Sequence, residues 1–175
     1  MEALSRNISV IIACVVVLVL HVVVTPALAI SLIRPNALLA YAAVISIVRP
    51  NNVSLVASFI LGLLGGMLSS YPVGLMAATA VVISFILCRV FSVVDNSSLF
   101  MVVASIAIAM LMGEVLYGFM LTKTGLNVSF LSLLIYRILP CALYDCVFAF
   151  VLYPLVHRFV GPVSTATQIP VAQFR

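Results

Sequence analysis

Val15-Val16-Val17-Leu18-Val19-Leu20 and, further on, Ala104-Ser105-Ile106-Ala107-Ile108-Ala109-Met110 decide the fold. Both are unbroken apolar runs. A membrane barrel strand would alternate apolar and polar residues over about 10 positions. Without water, the backbone must satisfy its own hydrogen bonds, and a helix does this within one segment. The many β-branched residues do not oppose helix, because their dislike of it is modest and the environment overrides it.

The rest of the chain agrees. Of 175 residues, 66% are hydrophobic and 7% charged, where a soluble domain carries roughly 25% charged residues. The mean hydropathy is +1.40. A soluble fold of this size would need polar groups over its surface; a lipid-facing one does not. The length leaves room for one transmembrane helical domain over residues 1–160 and a short cytoplasmic C-terminal tail over 161–175. The connections are too short for an extramembrane catalytic module.

About 20 apolar residues cross a bilayer, and on that measure the chain reads as an all-α, polytopic bundle of about six transmembrane helices. The spans fall at about 8–24, 36–48, 53–68, 73–88, 98–121 and 128–156. The second is short, and five spans result if it forms a re-entrant pair with the third. Pro140 should kink the last. Short-loop Arg and Lys set the orientation. With the N-terminus inside, Arg6, Arg49, Arg89, Arg158 and Arg175 are cytoplasmic, while Arg34 and Lys123 are outside. Both termini are therefore expected in the cytoplasm. The net charge of +4 suits anionic inner-leaflet lipid; nucleic-acid binding would need a clustered basic patch. Arg6 and Pro26-Ala27-Leu28-Ala29 imitate a secretory signal, but the apolar stretch exceeds the usual 7–15 residues, so cleavage is the lesser alternative.

Chemistry-bearing motifs are missing. There is no glycine-rich phosphate loop. Cys14, Cys88, Cys141 and Cys146 have no CxxC spacing, and as intramembrane thiols they act as small apolar residues. His21 reads as an interhelical hydrogen-bonding residue and His157, beside Arg158, as a marker of the cytoplasmic edge. No Ser/His/Asp set can be assembled. The expectation is a non-enzyme with no cofactor and no metal.

Three charges stand out, because each costs about 2.5–3.5 kcal/mol inside a membrane: Glu114, Arg137 and Asp145. Arg137, Cys141 and Asp145 follow one another at four-residue spacing, with Tyr144 on the same side. This stripe is a ligand or ion path, a partner-helix contact, or a buried charge set that fixes packing. Through a hairpin at Lys123, Glu114 and Arg137 lie about 10 and about 14 Å from their helix ends, so a buried ion pair between them is expected. Gly62 and Gly66 form GxxxG, which lets helices approach closely, within the chain or in a homodimer.

Three segments together resemble the rod shape-determining MreD family: Arg34-Pro35-Asn36-Ala37-Leu38-Leu39; the run from Gly62 through Gly65-Gly66 and Ser69-Ser70-Tyr71 to Pro72-Val73-Gly74-Leu75; and Arg137-Ile138-Leu139-Pro140 with Tyr153-Pro154-Leu155-Val156-His157-Arg158. Family members commonly carry an aspartate where this chain has Gly66. The resemblance implies a non-catalytic scaffold of the elongation complex in the bacterial inner membrane. It implies association with the bitopic protein MreC, and through it with MreB and with the peptidoglycan polymerase and transpeptidase. It also implies a fold similar to the substrate-binding subunits of energy-coupling-factor transporters. A vitamin-binding importer subunit is therefore the alternative, but the valine-rich first span lacks the AxxxA pattern those subunits use.

Overall fold

The fold is seen in a computed structural model that describes residues 2–29, 33–69, 72–93, 98–123 and 130–161, with side chains from residue 7 onward. Six helices make it up: α1 (Glu2–Ala27), α2 (Ala37–Val48), α3 (Asn52–Leu68), α4 (Leu75–Phe91), α5 (Leu99–Lys123) and α6 (Phe130–Val160). The expected tail, the Asp95-Asn96 loop and the turn after Lys123 lie outside the described residues, apart from Gly161.

The helix lengths differ in a way that sets the architecture. Asn7–Ala27, α5 and α6 are long and apolar enough to cross a membrane. Helices α3 and α4, with 17 residues each, are at the short end of the spanning range of about 17–25 residues. Helix α2 has 12 residues, about 18 Å at 1.5 Å per residue, well short of a hydrocarbon core of about 30 Å.

Every residue of α2 is buried, and α2 touches all five other helices. A helix that is apolar all round belongs at a centre, and α2 is the axis of the bundle. Helix α1 is the opposite case. It buries only the stripe Val10, Val17 and Thr25, while Ile11, Ile12, Val15, Val16, Val19 and Val23 face outward. Tyr41 of α2 ties it on: its hydroxyl donates to Val10 O at 3.5 Å.

Four local features differ from expectation. The first helix runs through Pro26 to Ala27, with the Thr25 hydroxyl donating to His21 O. His21 Nδ1 is buried without a partner, so the interhelical hydrogen bond expected of this ring is not made at that atom. Ahead of Pro140, residues Leu134–Ile138 form a π-helical turn; Pro140 removes one backbone donor, and the wider turn accommodates the loss without ending the helix. Arg49, expected as a loop charge, is buried at the C-terminal cap of α2, where a cation meets the negative end of the helix dipole.

Candidate functional site

Between α1 and α2 the described residues, 28–29 and 33–36, are not helical, and helix resumes at Ala37. Irregular backbone is tolerated at membrane depth only where protein groups satisfy it. Helix α6 supplies those groups. The Tyr144 hydroxyl donates to Leu28 O at 2.9 Å. The Arg34 backbone hydrogen-bonds the Cys141 thiol. Asp145 Oδ1 accepts the Asn36 N–H at 2.5 Å. Cys141, Tyr144 and Asp145 of the last helix thus all face the lead-in to the central helix.

Asn36 is also the N-cap of α2. Its Oδ1 accepts from Leu39 N at 3.2 Å, satisfying one of the amides that a helix start leaves open. Asn51 does the same for α3, accepting from Ser54 N at 3.1 Å.

Two acids meet at this buried helix start. Asp145 is 0% exposed and Glu114, from α5, 7%. Glu114 hydrogen-bonds with the side chains of Asp145 and Asn36 and lies in the field of Arg137. The Asp145 side chain lies against Glu114, and its Oδ2 is buried with no hydrogen-bond partner. Arg137 sits half-buried within the π-helical turn. Glu114 and Asp145 are thus brought together at the head of α2, with Arg137 near enough for its charge to act on Glu114.

The glycines serve α3 and α4. A Cβ on Gly62 would lie 2.6 Å from Ala77 Cα, and one on Gly65 2.6 Å from Leu38 Cδ1. Gly66 is looser, with Gly74 N at 3.4 Å as the nearest atom. The GxxxG face is therefore filled by α4 of the same chain. Gly74, the N-cap of α4, has φ +102°, the left-handed region that favours glycine. Pro72 is exposed just ahead of it, and Pro140 is half-buried behind the π-helical turn.

A second polar layer has no counterpart in the sequence reading. Ser84 Oγ of α4 lies 2.7 Å from Ser58 Oγ of α3 and 3.2 Å from Ala42 O of α2. Ser54 Oγ is 3.3 Å from Cys88 Sγ, and Ser58 and Ser46 donate back to Ser54 O and Ala42 O. The only advance signal was serine at buried helix positions, which an apolar count treats as noise. Beside α1, an apolar groove of about 570 Å³ opens against α3 between Val10, Cys14, Leu18, Val53, Ala57 and Leu61.

Among the described residues no group of three or more His, Cys, Asp or Glu side chains is placed to hold a metal ion. The family model described as rod shape-determining protein MreD matches residues 1–162. No curated protein and no solved structure matches the chain.

Proposed function

The chain belongs to the MreD family of rod shape-determining membrane proteins, and on that basis we propose that it is a non-catalytic scaffold of the elongation complex. In this reading it sits in the bacterial inner membrane with both termini in the cytoplasm. It binds MreC within the membrane, and through MreC it couples MreB filaments to the peptidoglycan polymerase and transpeptidase.

The family match over nearly the whole chain carries this reading. The outward apolar face of α1 supports it, because its own chain leaves it open to lipid or to another membrane helix. The polar groups also support it. The backbone at Leu28, Arg34 and Asn36 and the helix start at Leu39 account for the partners of Tyr144, Cys141, Asp145 and Asn36. Side chains occupied in this way hold a scaffold together.

Affinity purification of the full chain from detergent-solubilised membranes tests the partner. Recovery of MreC with the wild-type chain is the expected result. Recovery of a pair of transport ATPases instead of MreC, with vitamin uptake lost on depletion, would replace the scaffold by the importer subunit.

A further inference from the structure

We propose that the cluster at the head of α2 is a proton-binding site, and that the bound proton sits on Oδ2 of Asp145. The inference concerns the charge state of the cluster and does not depend on the scaffold reading.

The hydrogen bonds around the site leave one place for it. Asn36 Oδ1 is occupied by the Leu39 amide, so the Asn36 side chain meets Glu114 with its NH2 group, as a donor. Arg137 acts on Glu114 as a cation. Asp145 lies against Glu114 as well. Two hydrogen-bonding groups and the field of a cation thus act on the Glu114 carboxyl, and an ionised carboxylate, which only accepts, suits all of them.

Asp145 has the complementary arrangement. Its Oδ1 accepts the Asn36 N–H at 2.5 Å, the role of a carbonyl oxygen. Its Oδ2 is buried and has no hydrogen-bond partner, and the side chain lies against Glu114. As an ionised oxygen it would be an unsatisfied charge against a second carboxylate, the most costly arrangement in a buried site. As an O–H it carries no charge and can donate toward the Glu114 carboxylate beside it. The charge count agrees. Glu114, Asp145 and Arg137 would together carry a surplus negative charge, and like carboxylates in contact do not both ionise. One proton removes the surplus. The remaining groups facing the site, the Cys141 thiol and the Arg34 backbone, engage each other. The proton fastens α5 to α6 at the point where α6 holds the first residue of the α2 lead-in.

Infrared spectroscopy of the purified full chain in lipid at neutral pH tests this without any substitution. Exposed carboxyls are ionised there, so a neutral carboxylic-acid carbonyl band reports a buried acid. The chain has two aspartates, Asp95 and Asp145. Expected is a neutral-acid band that moves when aspartate alone is 13C-labelled, stays put when glutamate alone is labelled, and persists in Asp95→Asn. A band that moves with labelled glutamate, or no band at all, overturns the proposal. Variants give a second arm. Asp145→Asn keeps one acceptor and one donor in place and should fold with yield near wild type. Glu114→Gln leaves Arg137 without its anion and should lower folded yield about tenfold or more. The reverse order of yields would place the proton on Glu114 and refute the assignment.

Discussion

Asp145 in the last helix and Asn36 at the head of the second are joined by a 2.5 Å hydrogen bond across 109 positions of the chain. The bond supports the start of a helix buried along its whole length, because the carboxyl receives a backbone N–H that an apolar interior could not. Asn36 then caps the helix with its side chain. Replacing Asn36 by Ala removes that cap. N-caps contribute about 1 kcal/mol in water, and a buried amide left unsatisfied costs about 1–3 kcal/mol. Thermal unfolding of the purified protein in detergent should show Asn36→Ala clearly less stable than wild type. An unchanged midpoint would mean that the cap contributes nothing.

Gly62 and Gly66 separate two uses of the GxxxG pattern. At Gly62 a methyl group would meet the Ala77 backbone at 2.6 Å, and backbone cannot swing aside. At Gly66 the nearest atom is 3.4 Å away, an ordinary contact. Gly62→Ala should therefore destabilise by about 1–3 kcal/mol, the usual cost of overpacking, and Gly66→Ala by far less. Equal effects, or a loss of dimer with the monomer fold intact, would move the motif to a surface between copies.

Gly74 presents the opposite case. Nothing lies within 4 Å of its missing Cβ, but φ is +102°. Gly74→Ala should cost about 1–2 kcal/mol through backbone strain alone. Gly74→Asn, which tolerates such angles better, should recover part of the loss in the same thermal scan. If alanine is the more stable of the two, strain is not the cause.

Much of this could be read in advance, and what could not has physical reasons. Long apolar runs fixed helices, membrane and approximate boundaries, because those depend on neighbours in sequence. Asn36 stood at the start of the second apolar run and in a segment that carries the family resemblance, but its role as a cap was not read from it. The central place of α2 was not visible, because an apolar 12-residue run looks the same whether lipid or protein surrounds it. The partners of Cys141, Tyr144 and Asp145 were also hidden. Helical spacing shows that they share a face, but Asn36 and Leu28 are brought there only by the tertiary fold. Pro140 announced a break in the helix ladder, while the choice between a kink and a π-helical turn depended on how the surroundings could absorb it.

The Glu114 and Arg137 charges give a prediction with a built-in control. Arg137 lies near enough to Glu114 for its charge to act on that carboxyl, and removing one member of a buried pair costs about 3–5 kcal/mol, because the other is left uncompensated. Glu114→Gln and Arg137→Leu should each lower folded yield in detergent, and the double variant should lose much less than the sum. Strictly additive losses would mean that the two residues do not act as a pair.

Cell shape under depletion is the most direct measurement of what the protein does. In a rod-shaped host whose own copy is replaced by a repressible one, turning expression off should convert rods to spheres over successive divisions. Wild-type protein supplied in trans should restore the rods. Cells that stay rod-shaped after the protein is gone, whatever else they lose, would contradict a role in rod elongation.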